Sequence, residues 1–303
     1  MKKIFTPVVI ILITCATLTG TGKKADSSDK IKKDSFINPG RWLKNIIVDT
    51  EYEGQKSHAK IQIFFPLSYV QGEKIRTVIA LHSYDSNERE YENNSSIESY
   101  ANKYNLVIVC PSMGKSIYEN SFYPETSCKW NVIPGGKFTG ETLINFLNKN
   151  YNLALTKNST GIMGLTTGAY GALSVAARYN NKFQAAAGLS GFYDSTTIQR
   201  PRIIEAVYGS YKNHTDRWEK EASIIAIAEK LAGIPVFLYH GTGGDMFNPG
   251  QSRMLAIKIK SLQKSSNAYS VTYRENKSGY QGWIYWKRQI PEIMEFMNQN
   301  LKI

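Results

Sequence analysis

The chain has 303 residues, of which 42% are hydrophobic and 20% charged, with 23 Gly and only 10 Pro. That profile excludes a disordered or collagen-like chain and fits one large α/β domain or two small ones. Three cysteines cannot build a disulfide framework, and no Cys-x-x-Cys or His-x-x-x-His spacing offers a structural zinc site. Lys and Arg total 37 against 25 Asp and Glu, a formal charge of +12. The lysines are scattered and no arginine-rich block accompanies them, so a generic basic surface is expected and nucleic-acid binding is not.

Met1-Lys2-Lys3 precedes an apolar run, Ile4 to Ile13, too short to span a bilayer as a helix of about 20 residues. A secretion signal over 1–22 is therefore expected. Two processing routes stay open: cleavage among the small residues Thr19 to Gly22, or lipid attachment at Cys15 after Leu12-Ile13-Thr14. Residues 23–40 read as a polar linker, and either route places the mature protein outside the cytoplasm, held to a membrane only through a lipid anchor.

From Arg41 to the end, short β-branched runs alternate with helical patterns, as a mostly parallel sheet requires. Strands are predicted at 43–49, 59–65, 77–82, 106–110, 160–165, 184–190, 235–240 and 269–274, eight in all. Apolar spacing near i, i+3 and i+4 predicts helices at 95–104, 140–150, 169–179, 222–232, 251–264 and 288–301. No helix separates the first two strands, which should pair antiparallel. In such sheets ligands bind beyond the carboxyl ends of the strands, which directs attention to the loops after the third, fifth, seventh and eighth.

The fifth strand runs into Gly164-Leu165-Thr166-Thr167-Gly168-Ala169-Tyr170-Gly171. Small residues crowd this strand-to-helix turn in the manner of a nucleophile elbow, Gly-x-Ser-x-Gly, which lifts a hydroxyl beside a helix N-terminus. Here Thr166 takes the central position. With this turn the chain resembles, over roughly residues 41 to 300, the putative-esterase family of α/β-hydrolases, which includes S-formylglutathione hydrolases, feruloyl and acetyl-xylan esterases and mycolyltransferases of the antigen 85 type.

Further stretches carry the resemblance. Leu81-His82-Ser83 is similar to the family's His-Gly turn that helps to build the oxyanion hole, with Ser83 at the glycine position. The sixth strand with its turn matches at Phe183 to Gly191, and the acid-bearing loop at Tyr239 to Asp245. Ser278-Gly279-Tyr280-Gln281-Gly282-Trp283-Ile284-Tyr285-Trp286 is similar to Gly-Gly-His-x-Trp-x-x-Trp and puts Gln281 where the catalytic histidine belongs. The resemblance thus implies an eight-stranded α/β-hydrolase fold with Thr166, Asp245 and Gln281 at the triad positions and Ser83 and Thr167 at the oxyanion hole.

Those substitutions bear on chemistry. A primary amide such as Gln281 has no basic nitrogen to carry a proton between nucleophile and leaving group. A β-branched residue at the positive φ of an elbow is strained, and its methyl crowds an incoming carbonyl. Of the four histidines, His58, His82, His214 and His240, only His82 and His240 fall at strand ends near the crevice, and hydrogen-bonded structural roles are expected for both. Trp283, Tyr285 and Trp286 read first as packing for the last loop. The long segment 112–138, with Tyr118, Phe122, Tyr123, Cys128 and Trp130, is placed to cover the crevice, so Tyr123, Trp130 and Trp283 are the ligand-binding candidates. Asp245, near Gly243, Gly244 and Asn248, is one carboxylate, too few for calcium. No metal or cofactor is expected. Two readings remain: a non-catalytic envelope module binding a glycan, a small ester or a protein, and a slow carboxylic-ester hydrolase or acyltransferase using Thr166.

Overall fold

The computed structural model describes residues 37–126, 131–198, 202–243 and 248–303. The expected signal segment and most of the linker lie outside them. Eight strands form one sheet in the order β1-β2-β4-β3-β5-β6-β7-β8. Their bounds are β1 Trp42–Tyr52, β2 Gln55–Phe64, β3 Arg76–Leu81, β4 Leu106–Pro111, β5 Thr160–Leu165, β6 Ala185–Leu189, β7 Val236–Gly241 and β8 Val271–Asn276. β1 and β2 pair antiparallel as a hairpin, β2 is antiparallel to β4, and every other pairing is parallel.

Strands β3 to β7 are apolar on both faces because both faces are covered, the rule for parallel sheets. One face contributes Ile79, Val109, Ile162 and Leu238 and packs under the helices Leu143–Tyr151, Thr167–Arg178 and Gly250–Ser265. The other contributes Val78, Ile108, Met163 and Phe237 and packs under Ile97–Tyr104 and Ile290–Asn300. Alternation with period two along each strand divides these side chains between two cores.

One expected helix does not form. Residues 222–232 are apolar enough for it, but the backbone N–H groups of Ile224 and Ile225 both donate to the carbonyl of Tyr193, at 2.8 and 3.1 Å. The stretch forms turns and a single 3₁₀ turn at Ala228–Leu231, fastened at its start to the end of the sixth strand's loop. Conversely, the short helices Glu90–Asn94 and Trp283–Trp286 have no clear periodic signature in the sequence, yet both frame the site. Among the described residues no helix is long and apolar enough to cross a membrane.

Because β5 sits centrally with Ile162 fully buried on it, Ile162→Ala should lower unfolding stability by about 2–5 kcal/mol. A urea titration would show this as a lower midpoint with an unchanged slope.

Candidate active site at the end of the fifth strand

The elbow is fixed by two positions that cannot carry a β-carbon. A Cβ on Gly164 would lie 2.0 Å from the carbonyl oxygen of Gly168, and one on Gly168 would lie 2.5 Å from that of His82. Between them Thr166 takes φ 50° and ψ −109°, a conformation that costs a β-branched residue about 1–3 kcal/mol. Its N–H is tied to the Leu189 carbonyl at 2.9 Å and its own carbonyl accepts from Ala169 and Tyr170, at 3.0 and 3.1 Å. Thr166 is buried but not sealed, and its hydroxyl makes no hydrogen bond among the described residues. Thr167 opens the helix with its Oγ1 buried and unpartnered among those residues.

The turn after β3 packs against this helix start, which is why Gly168 must be bare. Tyr118, whose ring fills the space beside Gly171, donates its hydroxyl to the His82 carbonyl at 3.1 Å. Ser83 stands in the same turn, but its backbone N–H and its Oγ both donate to Glu90, at 2.6 and 2.7 Å. The Ser83 N–H is thus already committed to a carboxylate. Glu90 is 8% exposed and also accepts the Trp283 indole N–H at 3.1 Å. One carboxylate therefore clasps the β3 turn to the loop that carries Gln281. Nothing in the sequence pattern marks Glu90; only the fold brings it to Ser83 and Trp283.

Gln281 is half-buried between β8 and the helix Trp283–Trp286, just before Gly282 at φ 142°. Its loop is stitched to neighbouring strand ends: Gly243 N–H to the Gly279 carbonyl at 2.8 Å, Thr242 N–H to that of Asn276 at 3.0 Å, and Trp286 Nε1 to Ser190 Oγ at 3.1 Å. Ser190 follows Leu189, the residue that holds the Thr166 N–H. The Gln281 loop, the β3 turn and the elbow thus meet at the carboxyl end of the parallel strands. Asp245, Trp130 and Cys15 lie outside the described residues.

The histidines are accounted for by position. His82 is buried with both ring nitrogens engaged: Nε2 accepts the Met113 N–H at 2.7 Å, so Nδ1 carries the proton toward the Ser83 carbonyl at 2.6 Å. Burial lowers its pKa and keeps the ring neutral. His240 is fully buried on β7 with Nδ1 against Ser252 Oγ at 2.8 Å. His58 is exposed on β2, and His214 lies 3.5 Å from Glu125. Neither nitrogen of His82 is open to take a proton from Thr166.

Two ligand-binding candidates are engaged within the protein. Tyr123 donates its hydroxyl to Glu221 and lies under the Arg217 guanidinium, 3.9 Å from the ring centroid. Burial and Glu221 raise its pKa. Trp283 meets Trp286 and Tyr91 edge to face, at 5.8 and 5.4 Å, so it packs the last loop. Among the described residues no three His, Cys, Asp or Glu side chains are arranged to hold a metal ion.

Removing the clasp with Glu90→Ala should cost about 2–4 kcal/mol, since it strands Ser83 and Trp283 donors. Urea unfolding followed by tryptophan emission would report both the loss and the altered indole environment. His82 carries a pH signature as well. The unfolded ring titrates near 6.5 while the folded ring resists protonation, so stability is full above about 6.5 and falls below it by up to about 1.4 kcal/mol per pH unit. Stability curves between pH 7.5 and 5.5 should show this slope, and His82→Gln should flatten it.

Comparison with known proteins places this geometry. The chain is 27% identical over 242 residues to an acetyl esterase of Caldicellulosiruptor saccharolyticus, covering 76% of this chain and 86% of that protein. It superposes with a TM-score of 0.70 and 18% identity on Mycobacterium tuberculosis MPT51, covering 86% of this chain and 99% of the other. A fluorophosphonate-binding serine hydrolase of Staphylococcus aureus, FphF, gives a TM-score of 0.64 at 19% identity, covering 86% and 99%. The two structural likenesses speak for the fold alone. Residues 53–297 match the family described as "Putative esterase". On that match and on a sheet, elbow and loop order of the α/β-hydrolase kind, the chain belongs to this esterase family.

Proposed function

We propose that this chain is an exported esterase-family protein that has given up acyl transfer and keeps its crevice as a binding or interaction module of the cell envelope. One observation carries the reading: the elbow hydroxyl belongs to Thr166, and no titrating ring is free to serve it. By the resemblance of its loop Gln281 takes the histidine's place, and both nitrogens of His82 are spent on Met113 and Ser83. Ser-His-Asp chemistry needs imidazole first as base and then as acid. Loss of such a unit lowers turnover by about a million-fold, leaving about a thousand-fold over water from oxyanion contacts and binding.

Export rests on the basic and apolar leader, with either peptidase cleavage or lipid attachment at Cys15 as its completion. The ligand of the crevice belongs to the compounds that the family's fold accommodates, a glycan, a small ester or a protein segment. A second reading has its own support. Thr166 keeps the elbow backbone, and its hydroxyl has no hydrogen bond among the described residues, so a slow carboxylic-ester hydrolase or acyltransferase would use that oxygen.

The two readings separate in one assay. Purified protein should give no turnover of p-nitrophenyl acetate that disappears in Thr166→Ala, and no fluorophosphonate label at ordinary speed. Thr166-dependent turnover with a sigmoidal pH profile would establish the hydrolase instead. Thr166→Ser combined with Gln281→His should raise hydrolysis above the parent if the crevice is otherwise intact.

A further inference from the structure

A cleft of about 380 Å³ lies away from the elbow, between the hairpin β1–β2 and the segment 112–138. Its walls include Thr50, Tyr52 and Ser57 from the hairpin and Ser112, Phe122 and Asn131 from the segment. In the sheet order β2 stands three positions from β5, about 14 Å at the usual strand spacing, so this cleft and the elbow crevice are separate places on the same carboxyl edge.

The hairpin wall is built by register. Thr50 pairs with Ser57 and Tyr52 with Gln55, so alternate residues of both strands face the cleft while Asp49, Glu51 and Lys56 point to the other side. The opposite wall is fastened at its base. Ser112 N–H donates to the Lys60 carbonyl at 2.8 Å, and Asn131 Nδ2 donates to the Met113 carbonyl at 3.0 Å. Phe122, half-buried, meets the Tyr52 ring edge to face at 5.5 Å and 84°. The cleft is therefore a shaped site held by contacts between distant parts of the chain.

Its chemistry is selective. Hydroxyls of Thr50, Ser57 and Ser112 and the Asn131 amide supply uncharged donors and acceptors beside two aromatic rings. Among the described residues the lining includes one carboxylate, Glu53, and the exposed His58, but no Lys or Arg, although the chain carries 37 of them. Lys137 stands close by, its ammonium 5.3 Å from the centroid of the Tyr52 ring. Thr50, 7% exposed, has an Oγ1 with no partner among the described residues, an arrangement that ordinarily calls for a ligand or water nearby. Anionic polymers, which the net charge would attract, find no bidentate cation among the described residues of the lining. Fully apolar ligands would strand its hydroxyls. Sugar rings satisfy both demands, with hydroxyls at their edges and C–H faces for an aromatic side chain, and the volume lies at the lower end of the range of about 300–1,000 Å³ for small-ligand sites.

We propose that this hairpin cleft is a binding site for a neutral saccharide, independent of whether the elbow retains chemistry. The test is titration calorimetry on the full chain with xylotriose, cellotriose and chitotriose, and with trigalacturonate as the acidic comparator. At least one neutral trisaccharide should bind saturably at millimolar concentration or below and more tightly than the acidic one. Phe122→Ala and Thr50→Val should each weaken it about tenfold or more, as expected for central contacts. Ser57→Trp, which fills the cleft from the exposed hairpin, gives a second route to the same loss should Phe122→Ala disturb folding. Saturable binding that survives Ser57→Trp, stronger binding of trigalacturonate, or no saturable binding of any neutral probe overturns the proposal. The p-nitrophenyl acetate assay reads the elbow separately, so failure there and failure here are distinct results.

Discussion

At the junction of β5 with the helix Thr167–Arg178, strand, turn and helix approach until residues 164 and 168 have no room for a β-carbon. That contact forces the chain through positive φ at Thr166 and aims the start of the helix at the turn after β3. It also explains why the neighbouring layers are so restricted. The Leu189 carbonyl holds the elbow from β6, the Tyr118 ring occupies the gap left by Gly171, and the His82 carbonyl lies against Gly168. Strain at Thr166 persists because these neighbours leave it no other conformation.

Around that elbow the polar groups are bound to one another. Glu90 gathers three donors from Ser83 and Trp283, and His82 bridges Met113 and Ser83. Hydrogen bonds to a buried carboxylate are short and strong, and a neutral ring with both nitrogens engaged holds its orientation. The same bonds that make the turn rigid engage both ring nitrogens of His82 and both donors of Ser83.

The segment 112–138 links the two places where ligands could meet the protein. At its start Met113 holds His82, and Tyr118 supports the elbow helix; further on, Phe122 and Asn131 face the hairpin. Tyr123, between them, is locked by Arg217 and Glu221. Met113 belongs to both places, lining the hairpin cleft while its N–H holds His82.

The sequence by itself determined the layered sheet, its antiparallel start and the position of the elbow. Those features are written in local terms: β-branched runs, helical spacing, and glycines flanking residue 166. Two tryptophans at fixed spacing also lead the sequence reading to expect Gln281 at the histidine position. Tertiary structure decided the rest. Residues 222–232 form turns in place of the expected helix, with Ile224 and Ile225 bonded to the Tyr193 carbonyl about thirty residues earlier. Glu90 became the clasp of the site, Tyr123 turned inward, and the hairpin cleft came into being only when β1 and β2 were laid beside a loop some sixty residues later in the chain. Periodicity records which face of an element is apolar, whereas hydrogen bonds and clefts between distant segments depend on how those faces are brought together.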